Sequence, residues 1–132
     1  MKKSLLAPIN FIIDKSNYLR GLLVLIAHDN VVQDHEINTF MKEGSEMGYE
    51  KDYLRSSINT LLKNKHIKND PPRFHNPGFA VKLIESGIEI INKDRLPHPM
   101  KVNFLLQVAA CNGIQDIWDN KYSARILQKC KS

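Results

Sequence analysis

Apolar residues recur every three or four positions along this chain, and that spacing constrains its fold more than any other feature. The clearest set is Val81, Ile84, Ile88 and Ile91. Residues at this spacing lie on one face of an α-helix. Asn76 and Pro77 stand before the set, where asparagine favours a helix cap and proline suits the first helical turn. The pattern predicts an amphipathic helix that begins near Pro77.

The same spacing predicts helices in most of the remaining chain. One stripe, in a helix that begins near Glu50, consists of Leu54, Ile58, Leu61 and Leu62. Another, which follows Pro99, consists of Val102, Leu105, Leu106 and Ala109. Further helices are expected at about 16–28, 34–47 and 116–128, with a short additional one before Ser16. No segment alternates apolar and polar residues as a half-buried strand would. The prediction is an all-α fold, a compact bundle of six or seven helices.

Length and composition indicate one domain that covers residues 1–132. The chain has 132 residues, 42% of them hydrophobic and 25% charged, which is ordinary globular usage and enough to bury a core. The only long connection is the segment 69–76, where Pro71 and Pro72 favour a stiff crossover. Phe74 is expected to attach this crossover to the core, so we do not interpret it as a domain boundary.

The chain carries no feature that predicts secretion or a membrane span. Its most apolar stretch, residues 21–27, is too short to cross a bilayer. Pro8 interrupts the apolar N-terminal run, and no small-residue cleavage site follows. Cys111 and Cys130 do not form a disulfide framework. We therefore expect a cytoplasmic protein with reduced thiols.

Two short segments, 25–32 and 108–115, resemble each other. Each ends an apolar helix in a polar turn that is followed by a β-branched residue, Val31 or Ile114. The offset between the turns is 112 − 29 = 83 residues. The repeat predicts two weakly similar helical halves, with Val31 and Ile114 seated against the core.

The segment 27–37, Ala-His-Asp-Asn-Val-Val-Gln-Asp-His-Glu-Ile, resembles the tellurite-resistance TerB-like family. That family has an apolar helix, an Asp-Gly-type turn, an aliphatic residue and a glutamate in the next helix. Asp29, Val31 and Glu36 match these positions, whereas Asn30 stands where glycine is usual. In the second copy of the turn, Asn112 stands where an acid is commoner.

The resemblance spans residues 19–127 and implies a compact, all-helical, non-enzymatic module of the cytoplasm. It further implies an association with a stress or tellurite response, and divalent-cation sites at the acidic turns. The departures at Asn30 and Asn112 bear most directly on those cation sites.

The first turn holds five candidate metal ligands within nine residues: His28, Asp29, Asp34, His35 and Glu36. Hard cations such as calcium prefer several carboxylate and carbonyl oxygens, whereas zinc would use a histidine. The second turn offers Asn112, Asp116 and Asp119. The candidate divalent-cation site therefore consists of Asp29, Asp34 and Glu36, with a weaker counterpart at Asn112, Asp116 and Asp119.

The same acids have a purely structural interpretation, which stays open beside the first. Asp34 and Asp116 would be N-caps, and the positive N-terminal end of its helix would stabilise the Glu36 carboxylate. Trp118, the only tryptophan, is expected to pack in the core.

Three functional classes follow from these features. The first is a TerB-like module that binds a divalent cation or a protein partner. The second is a basic nucleic-acid-binding domain, since the net charge is +5 and the densest basic run is Lys63, Lys65, Lys68 and Arg73. The third, an enzyme, is disfavoured because the sequence has no recognisable catalytic motif or phosphate-binding glycine loop.

Overall fold

The structure is a computed structural model that describes residues 2–27, 32–63, 70–93 and 99–122, apart from the side chains of residues 2–8 and 62. Its α-helices are α1 (Lys2–Ala27), α2 (Asp34–Glu46), α3 (Lys51–Lys63), α4 (Pro77–Lys93), α5 (Pro99–Cys111) and α6 (Gln115–Ile117). A π-helical turn, Trp118–Tyr122, continues α6. These residues contain no strand, and the predicted all-α helical bundle is confirmed.

The helices α3, α4 and α5 begin at or within one residue of the predicted starts. The prediction for the first helix is wrong. Residues 2–27 form one continuous helix, rather than a short helix followed by a longer one that starts near Ser16. Asp14 lies inside this helix, and its buried carboxylate binds another segment.

Two predicted helix caps are also wrong. Gln33, not Asp34, is the N-cap of α2, and Ile114, not Asp116, is the N-cap of α6. Asp34 and Asp116 instead lie in the first turns of these helices. The positive N-terminal end of the helix dipole stabilises a negative charge there. Glu36 occupies the predicted position in the first turn of α2, and its carboxylate accepts a hydrogen bond from the Gln33 backbone N–H at 3.0 Å.

The core lies between α1, α4 and α5, with α2 and α3 packed on one side. Gly87 of α4 permits a close approach, because a methyl group there would lie 2.6 Å from a methyl carbon of Leu105. The Tyr18 hydroxyl of α1 and the Ser86 hydroxyl of α4 form a buried hydrogen bond at 2.7 Å. Burial raises the pKa of Tyr18 above its ordinary value, so this hydroxyl keeps its proton.

Trp118 and Ile114 are both buried, as predicted from the sequence. Val31, the counterpart of Ile114 in the first turn, lies outside the described residues. None of the helices in the described ranges is long and apolar enough to cross a membrane.

The crossover that precedes α4 is attached to the bundle at both ends. Phe74 packs against the core, as predicted, and stacks on Phe79 with ring centroids 5.9 Å apart. From α1, the Asp14 carboxylate accepts hydrogen bonds from the backbone N–H groups of His75 and Asn76 at 2.9 and 3.0 Å. The Asn76 side chain then caps α4 by accepting a bond from Gly78 N–H at 2.9 Å, as its sequence position predicts.

Candidate functional site

Glu36, one of the predicted cation ligands, is completely buried and already bound to a cation of the protein. Its Oε2 lies 2.6 Å from Lys101 Nζ, and both side chains are 0% exposed. Its Oε1 accepts the bond from Gln33 N–H. Both oxygens of this carboxylate are therefore engaged by protein groups, and the Lys101 ammonium neutralises its charge.

Lys101 is a residue that the sequence analysis missed. The signal was present, because Lys101, Phe104, Leu105 and Val108 follow one another at helical spacing. A lysine within such an apolar stripe is either buried with its neighbours or interrupts the apolar surface of the helix. It is buried, and burial of an ammonium requires a partner of opposite charge, which α2 supplies.

Asn112, the predicted ligand in the second turn, holds the crossover in place. Its amide nitrogen donates to Pro72 O at 2.9 Å and to Val108 O at 2.8 Å. Its amide oxygen accepts a hydrogen bond from Phe74 N–H at 2.8 Å. The amide thus needs two donor hydrogens and one acceptor. This requirement explains why the position is occupied by an asparagine, since a carboxylate could not donate either bond.

Among the residues that the structure describes, the remaining predicted ligands do not converge on one site. Asp34, Asp116 and Asp119 are exposed, and Asp119 Oδ1 lies 3.3 Å from Gln115 Nε2. Asp29 and His28 lie outside the described residues. Within the described ranges, no three His, Cys, Asp or Glu side chains converge on a point where they could hold a metal ion. A cation site that includes Asp29 stays a prediction.

Half of the basic run that suggested nucleic-acid binding can be located. Lys63 and Arg73 are exposed, whereas Lys65 and Lys68 lie outside the described residues. The nucleic-acid alternative therefore also stays a prediction.

The N-terminal half of α1 exposes an unusual number of large apolar side chains. Ile9, Phe11, Ile12 and Ile13 are 53%, 53%, 60% and 41% exposed. The α-helix repeat of 3.6 residues turns Ile9, Ile12 and Ile13 away from the buried face that carries Tyr18 and Leu22. We call these three isoleucines the apolar face of α1. Phe11 lies on the opposite side of the helix, where its ring, like that of Tyr18, packs on Phe79. This face was not predicted from the sequence, although its spacing was visible, because the long helix was expected to begin near Ser16.

A cleft lies on the Phe11 side of α1, where α1 meets the end of α2 and the start of α4. Its apolar lining comes from Phe11, Met47 and Phe79, and the rings of Phe11 and Phe79 meet edge to face at 5.7 Å. Lys15 closes one side, with its ammonium 3.2 Å from Met47 O and over the Phe11 ring. We call this the apolar cleft.

A second cleft, which we call the acidic cleft, continues from the first between α2 and α4. Its charged lining residues are Glu43, Glu46, Glu85, Glu89, Lys82 and Lys93. The two clefts share Glu46 and Lys82, so they form one continuous concave surface. At its α1 end the surface is lined by Phe11 and Lys15, and at its α4 end by Glu85, Glu89 and Lys93.

Most of the acids in this cleft have a nearby cation. Lys82 lies 3.6 Å from Glu43, and Lys93 lies 3.4 Å from Glu89. Glu85 accepts a hydrogen bond from the Tyr122 hydroxyl at 2.7 Å and lies 3.6 Å from Lys121. Glu46 is exposed and has no ion-pair partner among the residues that the structure describes. It stands where the apolar and acidic clefts join.

Comparisons with known proteins add no relative to this geometry, since no family model, curated protein or solved structure matches the chain. The functional argument therefore depends on the residues of the chain itself.

Proposed function

We propose that this chain is a non-enzymatic, cytoplasmic helical module of the TerB-like kind that binds a protein partner through the apolar face of α1. One observation carries the proposal: Ile9, Ile12 and Ile13 form an exposed apolar group on a helix whose opposite face is buried in the core.

Exposure of such side chains to water costs free energy. Burial of apolar surface contributes about 25 cal/mol per Å², and large contiguous apolar patches on soluble proteins commonly mark interaction sites. Ile9, Ile12 and Ile13 have the i, i+3, i+4 spacing with which helices enter the grooves of partner proteins.

The chemistry of the described residues favours this function over cation binding at the acidic turns. Glu36 is neutralised by Lys101, and Asn112 is fully used in holding the crossover. By contrast, none of the contacts among the described residues gives the apolar face of α1 a structural role.

Co-purification from the organism that naturally makes the protein tests this proposal. The tagged wild-type chain is compared with an Ile12→Ser/Ile13→Ser variant and with an Ile117→Ser control, since Ile117 is an exposed isoleucine on α6. We expect one protein to co-purify in stoichiometric amounts with the wild type and the control, but not with the double variant.

The interaction is then reconstituted from the two purified proteins, and circular dichroism checks that all variants are folded. A partner that binds the double variant as tightly as the wild type contradicts the proposal. So does the absence of a stoichiometric partner for any form of the chain.

A further inference from the structure

We propose that the apolar cleft is a binding site for a small aromatic carboxylate. The ring of this ligand packs among Phe11, Met47 and Phe79. Its carboxylate binds the ammonium groups of Lys15 and Lys82. The cleft lies on the side of α1 opposite the apolar face, so the inference goes beyond the proposed function and does not depend on it.

The size and the lining of the cleft suit a ligand with one aromatic ring. Its volume is about 340 Å³, at the lower end of the range for small-molecule sites. Phe11 is 53% exposed, and Met47 and Phe79 are half-buried, so apolar surface of all three is open to a ligand. The rings of Phe11 and Phe79 already meet edge to face, and a further aromatic ring can add contacts of the same kind.

Lys15 supplies the main contact for an anion. Its ammonium donates a hydrogen bond to Met47 O at 3.2 Å and lies 5.2 Å from the centre of the Phe11 ring. A lysine ammonium has three donor hydrogens, and Lys15 has no acidic partner among the residues that the structure describes. A carboxylate in the cleft can therefore accept a charge-assisted hydrogen bond from Lys15 while the ring of the ligand contacts Phe11.

Lys82 and Glu46 are the other charged residues that line the cleft. Lys82 Nζ lies 5.8 Å from the centre of the Tyr18 ring, which packs on Phe79. It also lies 3.6 Å from Glu43, and 42% of its side chain is exposed, so it contributes less to binding than Lys15. Two lysines and one glutamate give the lining a net charge of 2 − 1 = +1. This sign favours an anionic ligand, although the exposed Glu46 repels it.

Titration of the isotope-labelled full chain with phenylpropionate, phenylpropanamide and phenylpropylamine, followed by two-dimensional NMR, tests the inference. The ring is constant in this series, whereas the head group is an anion, a neutral amide or a cation. We expect phenylpropionate to cause saturable shifts at the backbone amides of Phe11, Met47 and Phe79. Its affinity should fall as salt is added, and the amide and the amine should bind at least twofold more weakly.

Variants of the chain then locate the carboxylate. Lys15→Met should weaken binding of phenylpropionate about twofold to fivefold, since ion pairs of partly exposed lysines contribute modestly. Phe11→Ala should weaken it by a similar factor, because a ring contact is lost. Glu46→Gln should instead strengthen binding about twofold, because a repulsion is removed. Lys42→Met removes an exposed lysine outside the cleft and should leave the affinity unchanged.

Absence of phenylpropionate binding would overturn the inference. So would binding of the amide or the amine as tight as that of the carboxylate, shifts confined to residues outside the cleft, or weaker binding by the Glu46→Gln variant. Circular dichroism checks that each variant is folded. Phe11 and Glu46 are exposed, so their variants decide the question even if Lys15→Met does not fold. Ile12→Ser/Ile13→Ser should bind phenylpropionate as the wild type does, which separates this site from the partner surface.

Discussion

At the scale of single residues, the buried contact between Lys101 and Glu36 shows what the Glu36 carboxylate binds. The two charged atoms are 2.6 Å apart and fully buried. An ion pair in this setting stabilises little relative to apolar residues, but removing one partner leaves an unpaired buried charge. The pair therefore fixes which residues face each other between α2 and α5.

Replacement of Lys101 by methionine tests this role. We expect Lys101→Met to lower the free energy of unfolding by about 3–5 kcal/mol, because Glu36 is left charged and buried. Urea denaturation measures the change. Glu36→Gln/Lys101→Met should recover most of the loss, since glutamine can still accept the Gln33 N–H bond.

An exposed pair supplies the control. Lys93→Met removes a lysine that lies 3.4 Å from Glu89 with about half of each side chain exposed, and should cost less than about 1 kcal/mol. Equal losses for Lys93→Met and Lys101→Met would show that the Lys101 contact is not buried as described.

At the scale of elements, the crossover between α3 and α4 depends on side chains from both halves of the chain. Asp14 of α1 holds its last residues, and Asn112 after α5 holds Pro72 and Phe74. Arg20 adds a hydrogen bond to Asp70 O at 3.0 Å. These contacts fix where α4 begins, and hence where its glutamates lie relative to α1.

Exchange of the amide for a carboxylate tests the contact that Asn112 makes. Asn112→Asp replaces two donated hydrogen bonds by two pairs of facing oxygens, so we expect a loss of about 1–3 kcal/mol in the free energy of unfolding. Asn103→Asp, an identical change at an exposed position of α5, should have a much smaller effect in the same denaturation experiment. A loss at Asn112 no larger than that at Asn103 would contradict the assigned role.

The helices whose positions followed from the sequence are those whose ends are encoded locally. Pro77 and Pro99 each begin a helix, and Asn76 caps α4, because these residues act on their own neighbours. The continuity of α1 could not be obtained in that way. Asp14 looks like a helix break until its partners His75 and Asn76, more than sixty residues away, are known.

The features of the candidate site also differ in whether the sequence alone reveals them. The exposure of Ile9 and Ile12 could have been inferred from their spacing relative to Tyr18, since helical periodicity is a local property. The acidic cleft could not, because Glu46 and Glu89 belong to different helices and meet only through the packing of α2 on α4. The residues that suggested a cation site were visible in the sequence, but the lysine that neutralises Glu36 was 65 positions away.

At the scale of the whole molecule, the packing of α1 against α4 separates two tasks of the first helix. Its C-terminal half, with Tyr18 and Leu22, supplies the core. Its N-terminal half carries the exposed residues Ile9, Ile12 and Ile13, which face away from that core. The central claim of this account is that this second half binds a protein partner.

Photo-cross-linking from position 12 tests that claim most directly. The full chain is produced in its natural host with a photoreactive benzoylphenylalanine in place of Ile12, and a second form carries it in place of Ile117. The account predicts one discrete protein adduct from position 12, absent from position 117 and lost when Ile9→Ser is added. No adduct from position 12, or the same adducts from both positions, would contradict it.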